Sequence, residues 1–400
     1  MFKPLLSLLA VTLYASTALA QVELNPEHPD RYEVVRGDTL WDISERFLRN
    51  PWMWPEIWQA NPQIENPHLI YPGDIISLSF VDGQPRLTLE RGERPTLRMS
   101  PGVRRTPLRE AIQPIDLQDI LPFLEKRTIL AADELIGIPY VVDIEEGYLA
   151  ATEGQLIYVR DLNAEVGDVY SVIRPTVVFS EVPATFPFDM AESFEPVAEP
   201  WEYPGRRSIS DHVDAFWQNF VKRQYTKHIR TLGYEARLAG VAEVVATGDP
   251  ATLRLTSSEI EIVAGAMVVP VFTSDFDLEY FPRAATSIGD DGRVIGISKT
   301  LFGAGRNQVV AINKGWGDGI ENGHVMRINR PSRTLRDEVK YPKDDVGTYF
   351  SRSNRKVAQV TIPEEYTGHL MVFKTFEQVS YALIVRSAQT IKMGDVLREP

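Results

Sequence analysis

Tyr32-Glu33-Val34-Val35-Arg36-Gly37-Asp38-Thr39-Leu40-Trp41-Asp42-Ile43 is the stretch whose reading decides the N-terminal fold. Tyr32 to Val35 reads as a short strand, and Gly37-Asp38 turns the chain. Thr39-Leu40-Trp41-Asp42 has a hydroxyl at the N-cap and a carboxylate three residues on, a capping box. Leu40, Ile43 and Phe47 follow at helical spacing, and Asn50-Pro51 stops the helix. Pro55 suits the first turn of a second helix carrying Ile57, Trp58 and Ala60, which Asn61-Pro62 ends. Tyr71-Pro72-Gly73-Asp74 is a turn, and Ile75 to Leu78 a second strand. Residues 31–79 therefore predict the order strand, helix, helix, strand.

Upstream, Lys3, the apolar run Leu5 to Ala15 and Ala18-Leu19-Ala20 form the three parts of a secretory signal, with cleavage expected after Ala20. The apolar run is short of the ~20 residues a membrane span needs, and no later stretch approaches that length. An exported, periplasmic chain with no transmembrane segment after cleavage is the expectation. The 400 residues contain no cysteine, which excludes disulfides, thiolate metal sites, cysteine nucleophiles and a lipid-modified cysteine. The net charge of −13 argues against nucleic acid as a partner.

Downstream, residues 80–130 read as a proline- and arginine-rich linker. Seven arginines (86, 91, 94, 98, 104, 105, 109) face four acids (82, 90, 93, 110) between Asp82 and Glu110. Prolines 95, 101, 107, 114 and 122 keep such a segment extended. A short helix is predicted near Asp116 to Glu125. Beyond it, short apolar runs alternate with Gly, Asp and Pro turns. They include Ile136 to Asp143, Tyr148 to Ala151, Gln155 to Arg160, Ala266 to Phe272, Gln308 to Ile312, His324 to Ile328, His369 to Phe373 and Ser380 to Val385. Such spacing predicts small barrels or sandwiches. The fold class is thus α+β: a small βααβ domain, a linker, and a β-rich C-terminal region. A weak internal echo joins Ile157-Tyr158-Val159-Arg160, Val166-Gly167-Asp168 and Ile173-Arg174-Pro175 to Val309 to Asn313, Gly317-Asp318-Gly319 and Ile328 to Pro331. It points to two related β modules. Between them, Glu181 to Gly205 carries six acids, five prolines and no Lys or Arg, and reads as an acidic loop. Val213, Phe216, Trp217, Phe220 and Val221 mark an amphipathic helix, read as packing on the β core.

Residues 32–43, with Gln59-Ala60-Asn61-Pro62 and Leu69-Ile70-Tyr71-Pro72-Gly73-Asp74, resemble the LysM domain. The resemblance implies binding to N-acetylglucosamine-containing glycan, here peptidoglycan glycan strands. Carried over, Gly37, Asp38, Thr39 and Leu40 form one side of a shallow groove. Asn61, Pro62, Ile64, Leu69 and Ile70 form the other. The stretch Asn50-Pro51-Trp52-Met53-Trp54-Pro55 departs from the short polar inter-helix segment of that family. Its tryptophans either stack on sugar or complete a very small core, and the size of the domain favours the core. A shallow groove buries little area, so retention on the wall calls for several copies or a second partner.

Residues 309–330, and the stretch from Gly368 to Phe376 continuing to Gly394-Asp395-Val396, resemble the FlgT-type C-terminal region. With the signal and the LysM, the chain is similar to the TsaP-like family of secretin-associated peptidoglycan-binding proteins. That resemblance implies a partner, the outer-membrane secretin of the type IV pilus machine, and a ring-like homo-oligomer around it. The domains read as 1–20 signal, 31–79 LysM, 80–130 linker, 131–180 β module, 181–225 acidic loop and helix, and 226–400 FlgT-like region.

Wall-binding modules also target hydrolases. Transpeptidases and peptidases of the cysteine type are excluded by composition. The six histidines show no H-x-H or H-E-x-x-H spacing. Gly323-His324 echoes Gly368-His369, read as similar strand starts rather than a metal pair. No G-x-S-x-G or P-loop motif is present. The reading is no catalytic residues, no metal and no cofactor. The alternative is a peptidoglycan hydrolase or hydrolase regulator, since two carboxylates suffice for a glycosidase.

Overall fold

The computed structural model describes residues 22–58, 70–81, 83–91, 120–131, 134–135, 137–183, 194–200, 230–271, 280–286, 288–298, 303–339 and 359–400. The predicted signal, the linker between 92 and 119, and the predicted helix at 213–221 lie outside these residues. The chain divides into a compact N-terminal unit and a C-terminal unit that holds residues 112–400.

In the N-terminal unit, β1 (Arg31–Glu33) leads to α1 (Leu40–Phe47), a 3-10 turn at Pro51–Met53, α2 (Trp54–Trp58) and β2 (Ile75–Val81). Leu40, Ile43 and Phe47 fall on one face of α1 and are buried, as their spacing predicts. Two C-terminal carbonyls of α1 are satisfied from upstream, where the Asn25 amide N–H donates to Phe47 O and Asn25 Nδ2 to Glu45 O, and Arg49 N–H just past the helix donates back to Glu23 O. The folded unit therefore starts well before Tyr32.

It also ends later than the sequence suggests. A third strand, β3 (Gln84–Glu90), pairs antiparallel with β2, so the segment read as linker from residue 80 begins as a hairpin. Gly83 at φ +78° supplies the turn, and Leu87, fully buried, supplies the reason.

The C-terminal unit begins with α3 (Leu121–Lys126), at the C-terminal end of the predicted 116–125 helix, and β4 (Arg127–Leu130). Then come β5 (Tyr140–Ile144), β6 (Leu156–Arg160), β7 (Val169–Pro183), β8 (Phe194–Pro200), β9 (Arg230–Ala246), β10 (Ala251–Ser258) and β11 (Met267–Pro270). Hydrogen-bonded neighbours run β9-β10-β6-β5-β11-β7, and β7 pairs again with β9, closing a six-stranded antiparallel barrel. Val141, Ile157, Val159, Val172, Ala242, Val244, Leu253 and Val268 are among the residues of its interior.

A second set follows: β12 (Arg283–Ala284), β13 (Val294–Ile297), β14 (Val309–Ile312), β15 (His324–Arg330), β16 (Arg333–Arg336), β17 (Gln359–Ile362), β18 (Glu365–Thr375), β19 (Ser380–Ser387) and β20 (Val396–Arg398). The order here is β15-β18-β19-β14-β13, with β20 paired to β15 and bridged to the start of β13 through Arg293 and Val396. This too is a closed six-stranded ring.

The two rings have the same connectivity and matching hydrogen bonds. Gly265 N–H donates to Val141 O, Val141 N–H to Ala266 O and Val268 N–H to Pro139 O in the first. Gly394 N–H donates to Val294 O, Val294 N–H to Asp395 O and Leu397 N–H to Gly292 O in the second. Gly240 and Gly368 match as well: a Cβ at either would lie 2.4 or 2.3 Å from a neighbouring carbonyl oxygen, of Ser257 and Arg386 respectively. The Arg174-Pro175 and Arg330-Pro331 echo falls at equivalent places, within β7 and at the end of β15. The weak sequence repeat is a duplicated barrel.

This topology moves the boundaries expected from the sequence. β9 and β10 lie beyond residue 226 yet pair with β7 and β6. The first barrel therefore spans the boundary placed at 225/226, because a barrel cannot close without them. The acidic segment at 181–205 contains strand at both described ends, with β7 running to Pro183 and β8 pairing alongside it.

Strands β7 and β9 are too long for the barrel alone. Their outer halves, flanked by β8 and β4, form a four-stranded arm. This arm packs on the second barrel. Glu235 is fully buried and accepts from the Arg127 guanidinium, from Thr176 Oγ1 at 2.8 Å and from Tyr381 OH at 2.9 Å. Asn313 Nδ2 donates to Glu181 Oε1 at 2.6 Å. Lys374 Nζ donates to the carbonyls of Phe123, Leu124 and Arg127 at 3.2, 3.0 and 2.7 Å, capping α3. Phe123 meets Tyr381 edge-on at 5.4 Å.

Candidate functional site

The loop after β1 is held by one carboxylate. Asp38 Oδ2 accepts the Val35 amide N–H at 2.9 Å and Tyr32 OH at 3.0 Å, while Asp38 N–H returns to Val35 O. Burial first, then the Asp38 carboxylate, raises the pKa of the Tyr32 phenol. The Arg46 guanidinium lies 4.5 Å above the same ring. Gly37 sits at φ +96°, a region L side chains avoid, and nothing lies within 4 Å of where a Cβ would be. The loop thus presents bare backbone to solvent.

The Tyr71-Pro72-Gly73-Asp74 turn lies beside it. Gly73 N–H donates to Val34 O and Val34 N–H to Asp74 O. The buried Asp74 carboxylate accepts the Tyr71 amide N–H at 3.1 Å and Arg91 Nη1 at 3.0 Å. Arg91 comes from just after β3, so the hairpin missed in the sequence reading also braces this turn. Two turns, each organised by one aspartate, meet at the end of the β1–β2 pair.

Among the residues expected to line the groove, Gly37 is exposed, and Asp38 and Thr39 are half-buried on the first loop. Leu40 and Ile70 are buried in full, so their side chains belong to the core. Asn61, Pro62, Ile64 and Leu69 lie outside the described residues. Val35, half exposed beside Gly37, and the exposed Arg36 flank the same turn, outside the groove residues that the resemblance implies. The only signal for them was that position. Trp52 and Trp54 are 8% and 2% exposed, so neither offers a ring face to a sugar, and the core reading fits.

The two echoing histidines do not converge. His324 Nδ1 accepts the Glu321 amide N–H at 3.2 Å, whereas His369 Nδ1 meets Tyr366 OH at 2.8 Å. Among the described residues no group of three or more His, Asp or Glu is placed to hold a metal ion. Burial, then the Arg386 and Arg327 charges, pushes His369 down to about 4.

This sets a pH dependence. The unfolded chain takes up the His369 proton near pH 6.5 and the folded chain only near 4, so stability falls as pH falls across that window. The full loss is roughly 3 kcal/mol. Asp395, pushed up to about 6 by burial, acts in the opposite sense between its ordinary value and 6. The readout is therefore the difference between wild type and His369→Gln in urea unfolding. It should shrink on acidification from pH 6.5 to 4, and a difference constant with pH would contradict this origin.

Residues 32–79 match the LysM domain model. No curated protein matches the sequence. LysM is a binding module for peptidoglycan or chitin, which puts its ligand outside the cytoplasm. No described helix is long and apolar enough to cross a membrane.

Proposed function

We propose that this chain is a non-catalytic cell-wall tether. The LysM module holds glycan strands of peptidoglycan, and the double-barrel body holds a protein of the envelope. The observation that carries the reading is the LysM match at residues 32–79, with its loop of exposed backbone at Gly37 ordered by Asp38. In this reading Gly37, Asp38 and Thr39 contact the glycan, and the family resemblance supplies Asn61, Pro62, Ile64 and Leu69 as its other contacts. Leu40 and Ile70, both buried, belong to the core of the module.

The protein partner in this proposal is the outer-membrane secretin of the type IV pilus machine. The resemblance of residues 309–330 and 368–396 to secretin-associated and FlgT-type chains supports it. A periplasmic location follows from the N-terminal signal pattern. The test uses the mature chain and detergent-solubilised secretin. Co-purification that survives deletion of the LysM module is expected. Absence of secretin from the eluate, or release of soluble muropeptides from sacculi by the chain alone, would contradict the tether.

A further inference from the structure

The duplication lets the outer walls of the two barrels be compared position by position. The turn at Glu165–Asp168 enters β7 as the turn at Glu321–His324 enters β15. Glu165 N–H donates to Asp168 Oδ2 at 2.9 Å in the first, and Glu321 N–H to His324 Nδ1 at 3.2 Å in the second. Ser171 and Arg327 follow these turns at the same distance along the chain. Val241 and His369 follow the matched glycines, Gly240 and Gly368, and Ser257 and Arg386 carry the carbonyls that crowd those glycines. Val269 and Arg398 stand equally far past Gly265 and Gly394.

Pairing sets each group in one row across four strands. In the first barrel Val269 pairs with Ser171, Ser171 with Val241, and Val241 with Ser257. In the second barrel Arg398 pairs with Arg327, Arg327 with His369, and His369 with Arg386. Ile328, Leu370 and Leu397, each adjacent in sequence to a member of this second row, belong to the barrel interior, so the row lies on the outer wall.

The fold does not need these charges, because the first barrel closes with Val, Ser, Val and Ser in the same places. Arginines directly opposite one another also repel. Yet the row is held in position. Arg327 Nε donates to Asn329 Oδ1 at 3.0 Å, and its guanidinium lies 5.2 Å from the centre of the Tyr366 ring. The Tyr366 hydroxyl meets His369 Nδ1 at 2.8 Å. Arg398 is engaged by Glu364 at 2.6 Å. Burial, and after it the charges of Arg386 and Arg327, lower the pKa of His369, so the middle of the row is neutral. Arg327 and Arg386 are exposed on either side of it. Two strand spacings separate their backbones by about 10 Å.

We propose that this row is a docking face for an acidic polypeptide segment of a partner protein, whose carboxylates engage Arg327 and Arg386. Alternate side chains of an extended segment stand about 7 Å apart, so two carboxylates of one segment reach both guanidiniums. The net charge of −13 opposes an extended polyanionic surface such as a membrane, whereas a short acidic segment meets only the row. This face stands on the duplication and does not depend on the LysM or secretin readings.

The test is fluorescence anisotropy of a labelled peptide of alternating Glu and Thr, titrated with the full mature chain. Wild type should bind it saturably, and less tightly as salt rises. Arg327→Ser with Arg386→Ser, which installs the residues of the first barrel, should bind at least ~10-fold more weakly, because two charge-assisted contacts are lost. Arg327→Lys with Arg386→Lys keeps the charge and should retain most of the binding. Arg254→Gln with Arg306→Gln, an equal change of charge at exposed positions elsewhere, should bind as wild type does. Unchanged thermal unfolding establishes that each variant folds, and the lysine pair keeps the test open if the serine pair does not. No binding by wild type, a serine pair that binds as wild type does, a lysine pair that loses binding, or a control pair that loses as much as the serine pair overturns the proposal. So does retention on phosphatidylglycerol vesicles through the same two arginines in place of peptide binding.

Discussion

Glu235→Gln should lower the stability of the C-terminal unit by roughly 3–5 kcal/mol, because it removes the buried negative charge that pairs with the Arg127 guanidinium. Arg127 and Glu235 have 3% and 0% of their side chains exposed, so the pair sits away from solvent. The same carboxylate holds Thr176 and Tyr381, so the change also unfastens the arm from the second barrel. At this size the midpoint of thermal unfolding should fall by about 10 °C. The double variant Arg127→Met with Glu235→Leu removes both charges and should recover much of the loss, since a buried pair is often replaceable by apolar groups. A single variant as stable as wild type, measured by urea unfolding, would sink the view that this cluster joins the barrels.

The second large effect lies in the LysM module. Trp54→Ala removes a large side chain from a small core of Val34, Leu40, Ile43, Phe47, Leu48, Trp52, Ile57, Ile70, Ile76 and Leu87. Loss of a buried aromatic costs about 3–5 kcal/mol, and a domain of this size has little stability to spare. The module should therefore unfold at room temperature while the barrels keep their own transition. Glycan retention should vanish with it. Retention at wild-type level would mean that Trp54 is dispensable to the core, or that glycan is bound elsewhere.

The parts legible in the sequence were those written in local pattern. Thr39 to Asp42 announced α1, and Leu40, Ile43 and Phe47 its buried face. The Arg-Pro pairs at 174–175 and 330–331 announced the duplication. Pairing across distance was not legible. Nothing local in Arg230–Ala246 says that it closes a barrel with strands some sixty residues earlier, across the acidic segment. β14, β18 and β19 bury both faces, inner ones in the barrel and outer ones such as Phe373 and Tyr381 under the first arm. They lack the alternation that would show which side faces in. At the candidate site, resemblance put Leu40 and Ile70 in the groove, but both are apolar residues beside a core short of volume, and burial claims them. Asp38 and Asp74, which order the two turns, were legible as turn residues and not as the pair that brings those turns together.

The most direct test of the tether is pelleting of the full mature chain with purified sacculi, with and without soluble N-acetylglucosamine oligomers. The account predicts that the chain pellets, that the oligomers release it, and that Trp54→Ala stays in solution. A chain that fails to pellet, or that pellets through its barrels regardless of oligomers and of Trp54, would contradict the claim that the LysM module holds it to the wall.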